Sequence, residues 1–153
     1  LKNFKGVQRR FNKIFTFNGV DFYDDYAHHP TEIKSVLEGV KKVFDKFERV
    51  CIFQPHRISR LKDLRNEFTH CFRDADTIIL CPIFTAGEKI KLGFHYNDFA
   101  KEIIKNSKVK LFMIKNNIEL AKFLKQNIYG NKIVIGMGAG SISNWMKKLP
   151  ELM

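Results

Sequence analysis

The amino-acid sequence predicts an α/β domain in three layers, a mostly parallel β-sheet with helices on both faces, entered through an N-terminal β-hairpin. Three observations carry that expectation. After residue 29, short apolar runs alternate with segments whose apolar residues recur at helical spacing. Most of the short runs are apolar throughout, as strands covered on both faces are. The length, 153 residues with 44% hydrophobic side chains and 15 Phe, suffices for one domain with a substantial core.

Residues 13–17 and 20–23 are β-rich runs separated by Asn18-Gly19, a dipeptide suited to a two-residue hairpin turn. Pro30 is placed to open a helix, and Ile33, Val36, Leu37, Val40 and Phe44 keep helical spacing to about residue 47. Residues 50–53 form a short buried strand. A polar loop over 54–58 leads into a helix with Leu61, Leu64, Phe68 and Phe72 on one face. Residues 77–81 are a further strand, followed by a longer loop containing Pro82, Ala86 and Gly87. A helix over 97–105 then precedes a strand over 109–114. Asn116 with Glu119 has the spacing of a capping box for a helix to about residue 126. Residues 132–135 are the last strand, running into a glycine-rich turn and a short C-terminal helix.

Composition narrows the function. So much apolar surface excludes disorder, and no apolar run approaches the ~20 residues of a membrane-spanning helix. The N-terminus lacks the apolar stretch of a signal peptide. It also lacks an initiator Met, as expected of a chain cut from a longer one. Cys51, Cys71 and Cys81 are odd in number and lack C-x-x-C spacing, so a reducing compartment, the cytoplasm by default, is expected. The charge of +11 invites a nucleic-acid reading. However, the lysines are scattered over predicted solvent faces and no basic run is interleaved with stacking aromatics. No nucleic-acid partner is expected; small anions suit the charge better.

Three polar clusters fall at carboxyl ends of predicted strands, where open α/β sheets bind ligands. The first is Asp24-Asp25-Tyr26-Ala27-His28-His29-Pro30-Thr31-Glu32. A strand-to-helix junction offers free amides to phosphate, a carboxylate there can hold a ribose or a metal, and imidazoles can contact phosphate oxygens. One such residue would pass as a strand end or helix cap, but two carboxylates and two histidines within six positions favour function. The second is Gln54-Pro55-His56-Arg57-Ile58-Ser59-Arg60. Arg57 and Arg60, three apart at a helix start, can point the same way and with His56 form a carboxylate or phosphate clamp. Taken alone, they are as well explained as surface arginines. The third, Gly136-Met137-Gly138-Ala139-Gly140-Ser141, is neither a dinucleotide fingerprint nor a P-loop. Arg10, in Arg9-Arg10-Phe11, reads by itself as a basic edge. No dedicated metal site is expected, because the histidines lack ligand spacing and no H-E-x-x-H occurs. A G-x-S-x-G elbow is absent as well.

Taken in order and spacing, these segments resemble the C-terminal domain of the Mur ligases, in particular the family that joins L-alanine to UDP-N-acetylmuramate. The matching pieces are Gly6-Val7-Gln8-Arg9-Arg10-Phe11, the stretch from Asp24 to Glu32, Gln54-Pro55-His56-Arg57 with Arg60, Ala86-Gly87-Glu88, and Gly138-Ala139-Gly140-Ser141-Ile142. Ala27 and Ser141 stand where many relatives carry Gly and Asp. The resemblance implies a Rossmann-like three-layer α/β/α domain over residues 13–153, with residues 1–12 as a linker from a preceding ATPase domain. It implies an ATP-dependent, Mg²⁺-assisted ligation in cytoplasmic peptidoglycan synthesis. ATP phosphorylates the carboxylate of UDP-N-acetylmuramate, and the amine of L-alanine attacks the acyl phosphate. Mapped by resemblance, Arg10 contacts an ATP phosphate and Asp25 the ribose. Tyr26 and His28 face the reaction centre, while His56, Arg57 and Arg60 hold the L-alanine carboxylate. The P-loop and principal Mg²⁺ ligands belong to other domains, so this chain alone is expected to be inactive. Two rivals differ in class: an Asp-His-His phosphoesterase, which needs an Asp where Ala27 stands, and a free-standing anion- or nucleic-acid-binding module.

Overall fold

The computed structural model describes residues 10–89 and 95–153. The hairpin forms from β1 (Asn12–Phe17) and β2 (Val20–Asp25), and its two turn residues, Asn18 and Gly19, both take positive φ, 52° and 75°. Then follow α1 (Pro30–Val43), β3 (Glu48–Phe53), α2 (Ile58–Asp63), α3 (Arg65–His70), β4 (Thr77–Leu80), α4 (Tyr96–Ser107) and β5 (Lys110–Met113). The chain closes with α5 (Asn117–Asn127), β6 (Lys132–Met137) and α6 (Ile142–Leu152).

Among the described residues, six strands form one sheet in the order β1-β2-β6-β3-β4-β5, parallel except for β1, as the sequence predicts. The topology decides where the helices go. From β2 to β5 every crossover advances in one direction, and a right-handed connection then lays α1, α2, α3 and α4 on the same face. The return from β5 to β6 reverses direction, so α5 crosses the opposite face, and α6 joins it. The core divides accordingly. Ile33, Leu37, Leu61, Phe68, Phe99 and Ile103 pack on Cys51, Phe53, Ile78, Leu80, Ile133 and Ile135. On the other side Leu120, Leu124, Ile142, Met146 and Leu149 pack on Val50, Ile52, Ile79 and Val134. Neighbouring strand residues thus serve opposite layers, which is why the central strands are apolar throughout.

Two predicted helices differ from the sequence reading. The first ends at Val43 rather than near 47, with Phe44 as its C-cap at φ −118°, ψ 45°. The second is broken at Leu64 into α2 and α3. Its hydrogen bonds bridge the break, Leu64 N–H donating to Arg60 and Phe68 N–H to the Leu64 carbonyl, so one apolar stripe survives across two helices. At Asn116 the side chain accepts the Glu119 N–H at 2.8 Å, capping α5. The insertion of β6 between β2 and β3 shapes the carboxyl edge of the sheet. At their carboxyl ends β2 and β3 lead to helices on one face while β6 leads to α6 on the other, leaving crevices between them.

Candidate functional site

The crevice beside β3 collects residues distant in sequence. Tyr26 and His28 leave β2, His56, Arg57 and Arg60 leave β3, and Ala139 follows β6. Together with Ser59, Asp63 and Leu64 they line an open cleft of about 540 Å³. Five of the seven predicted site residues therefore share one wall. Arg10 and Asp25 do not lie there; with Ala27, Thr31 and Glu32 they line a neighbouring cleft of about 250 Å³, and Tyr26 borders both. Gly6 to Arg9, and most of the predicted linker, lie outside the described residues.

The turn after β2 is held by its own polar groups. Asp25 is 2% exposed, and its carboxylate accepts the Phe11 and Ala27 N–H groups, each at 2.8 Å. Burial raises its pKa, against those two amides and the charge of Arg10. One bond crosses to the segment that carries Arg10, so Asp25 fixes Arg10's approach; the oxygens keep further lone pairs for a ligand. Phe11, at φ 48°, stacks on Tyr23 with centroids 4.2 Å apart. At the start of α1, His29 Nδ1 accepts the Thr31 N–H, while Glu32 Oε1 accepts the N–H groups of His28 and His29. His28 Nδ1 lies 2.9 Å from the Tyr26 carbonyl oxygen. A carbonyl only accepts, so Nδ1 carries the proton and the lone pair of neutral His28 is on Nε2.

The turn after β3 is cationic. Arg57 adopts φ 73°, unusual for a side-chain-bearing residue, with its N–H donating to the Phe84 carbonyl at 2.8 Å. His56 stacks on Phe84 with centroids 5.5 Å apart and meets His28 edge-on at 6.2 Å. Among the described residues, two buried side-chain atoms lack a hydrogen-bond partner, His56 Nδ1 and Arg60 Nη1, and both residues line the cleft. Burial first, then the charges of Arg60, His28 and Arg57, lowers the His56 pKa, with Glu88 opposing. His56 is thus neutral at pH 7, and the stability it contributes is lost as pH falls from 6.5 through the depressed folded value. An NMR pH titration should place its ring midpoint below 6.5, and Arg60→Ala should raise that midpoint. A midpoint at or above 6.5 in the unsubstituted chain would contradict this electrostatic account.

Sequence reasoning missed two supports. Gln54, in the second cluster but given no role, is buried; it donates to Ser141 Oγ and accepts the Ile142 N–H, each at 2.9 Å. It thereby ties the glycine-rich turn to the arginine loop. Glu88, quoted only within a resembling segment, caps α2 with its carboxylate. Glu88 reaches Ile58 and Ser59 across about thirty residues, which no local pattern announces. Among the described residues, no three of the His, Cys, Asp and Glu side chains gather closely enough to hold a metal ion.

Comparison with known proteins bears on this geometry. Residues 9–140 match the family described as Mur ligase, glutamate ligase domain. The chain is 67% identical over its whole length to UDP-N-acetylmuramate–L-alanine ligase of Pelagibacter ubique, covering 33% of that protein. It is 38% identical over 151 residues to the same-named ligase of Mesorhizobium japonicum, covering 32% of it. The crystal structure of the UDP-N-acetylmuramate–alanine ligase MurC from Thermotoga maritima superposes with a TM-score of 0.73 at 27% identity, over 99% of this chain and 31% of that one. The chain therefore spans about a third of the length of the curated relatives it matches.

Proposed function

The chain belongs to the Mur ligase family through its glutamate ligase domain, and on that premise we propose that it is the C-terminal, amino-acid-delivering domain of an ATP-dependent ligase joining L-alanine to UDP-N-acetylmuramate. The observation that carries the reading is the cleft in which Tyr26, His28, His56, Arg57 and Arg60 converge, with Arg60 Nη1 and His56 Nδ1 buried and, among the described residues, unpartnered. Two guanidinium groups and a neutral imidazole suit a small carboxylate, which can take bidentate hydrogen bonds from Arg. Family membership supports this reading over the phosphoesterase.

In this reading ATP activates the substrate carboxylate as an acyl phosphate, releasing ADP. The L-alanine amine attacks the acyl carbon and phosphate leaves. No protein nucleophile is required; the residues here orient and neutralise. His56, Arg57 and Arg60 hold the amino acid by its carboxylate and so aim its amine away from the clamp, toward Tyr26 and His28. His28 Nε2 is the lone pair available to take the amine's proton, since Nδ1–H is engaged by the Tyr26 carbonyl. Arg10 meets an ATP phosphate and Asp25 the ribose, from the adjoining cleft that Tyr26 connects to the first. Mg²⁺ disperses phosphate charge when bound, and its principal ligands are assigned to the rest of the ligase. Residues 13–153 form the domain, with 1–12 as its linker, and the setting is the cytoplasm.

The reading frame carrying this chain is then expected to run upstream through a G-x-x-G-K-[ST] loop. The product of that frame should release phosphate from ATP only when UDP-N-acetylmuramate and L-alanine are both present, whereas residues 1–153 alone should release none. Phosphate release by the isolated chain, or release that ignores L-alanine in the full product, would overturn the assignment.

A further inference from the structure

We propose that Glu88 is a positioning residue of the amino-acid cleft, holding the first turn of α2, and with it Arg57 and Arg60, where the substrate carboxylate is read. This rests on the carboxylate-clamp reading of that cleft. The first turn of α2 has no cap of its own. Arg57 occupies the N-cap position, offers no side-chain oxygen and makes no capping hydrogen bond. A helix of six residues also has few internal bonds with which to hold its first turn. Glu88 supplies what is missing. Its Oε1 accepts the N–H of Ile58 at 2.8 Å and of Ser59 at 3.3 Å, and its Oε2 accepts the Ser59 hydroxyl at 2.6 Å.

The chain around Glu88 is shaped for this contact. Phe84 is fastened to the arginine loop by two backbone bonds of 2.8 Å, its N–H donating to Pro55 and its carbonyl accepting from Arg57. Ala86 and Gly87 then take φ of 53° and 88°, turning the chain so that Glu88 comes back over α2. The Ser59 hydroxyl, the two amides and the charge of Arg57 hold the Glu88 carboxyl below its ordinary value, so it is ionised at neutral pH. Because the carboxylate already takes the Ile58 and Ser59 amides, those two are closed to an incoming substrate carboxylate, and the side chains of His56, Arg57 and Arg60 in the cleft stand to meet it. Glu88 sits opposite in charge to these groups and restrains the loop that carries them. It touches no substrate itself; it sets the geometry of the groups that do.

The test uses the full-length ligase. Glu88→Ala should raise the KM for L-alanine about tenfold, with kcat and the KM for ATP little changed. Glu88→Gln keeps an oxygen for the amides and should recover most of the loss, leaving about a threefold rise. Ser59→Ala removes one bond and should also cost about threefold. Should Glu88→Ala fail to fold, the other two variants decide by the same criterion. The proposal is overturned if none of the folded variants moves the KM for L-alanine by about twofold. It is equally overturned if the KM values for ATP and L-alanine rise together. Arg57→Ala serves as the control: if it too leaves the KM for L-alanine unchanged, the clamp reading itself has failed. If it raises that KM while the Glu88 variants are silent, only the role of Glu88 is lost.

Discussion

Arg60→Ala is expected to raise the KM for L-alanine by roughly 30- to 100-fold in the full-length ligase, while leaving the domain as stable as before or more so. The two halves of this result come from the same atom. Arg60 Nη1 is buried without a partner among the described residues, a condition that costs about 1–3 kcal/mol per orphaned group. Arg60 also adds positive charge beside His56, the second cause of that residue's depressed pKa after burial. Removing the guanidinium relieves both penalties in the unliganded state. With substrate bound, the carboxylate answers them, and a charge-assisted hydrogen bond is worth about 1.5–3 kcal/mol. The loss therefore falls on binding. Arg60→Lys should recover only part of it, since an ammonium cannot offer the guanidinium's paired donors. Steady-state kinetics and thermal unfolding together check the prediction. A large fall in the unfolding temperature alongside the raised KM would make Arg60 a strut of the fold and not a reader of substrate.

The contrast between Arg60 and Glu88 shows what the sequence discloses. The hairpin was legible because Asn18-Gly19 is a local signal, and the parallel strands were legible because burial on both faces leaves an unbroken apolar run. The clusters were legible because each is contiguous and follows a strand. Which clusters share a cleft was not, since that depends on β6 entering between β2 and β3, a pairing no local periodicity specifies. The division of Arg10 and Asp25 from the arginine clamp is a product of the same arrangement. Likewise the glycine-rich turn at the end of β6, matching neither a dinucleotide fingerprint nor a P-loop, is a weak signal in the sequence. Its packing tells more: Gly138, Gly140 and the Gln54 amide are pressed together, and Gln54 stands 87 positions from Ser141, the residue it holds.

That packing carries the second large effect. Gly138→Ala is expected to destabilise the chain by roughly 2–4 kcal/mol, the sum of an overpacking cost and a backbone strain cost. Gly138 has φ +150°, which side chains rarely adopt, and a Cβ there would stand 2.8 Å from the Gln54 carbonyl oxygen and 2.9 Å from Ile142 Cγ2. The carbonyl oxygen belongs to backbone at the end of β3 and cannot swing aside. For a domain of this size the change corresponds to a fall of roughly 5–15 °C in the unfolding temperature. Gly140→Ala lacks the strain of a positive φ but is also blocked. Its Cβ would press on Phe84 Cγ, and stand 2.7 Å from Phe84 Cβ and 2.8 Å from Gln54 Oε1, where Phe84 is fastened by two backbone bonds and the Gln54 side chain by two of its own. Phe84 is the ring stacked on His56, so its displacement is carried into the cleft. Gly140→Ala should therefore also lower the melting temperature, and in addition move the His56 titration midpoint back toward 6.5 as the ring loses cover. Calorimetry on both variants and the histidine titration on the second separate the two effects. A Gly138→Ala chain that melts with the parent would show that the turn after β6 can move away from Gln54, and the fixed support inferred for the arginine loop would be gone.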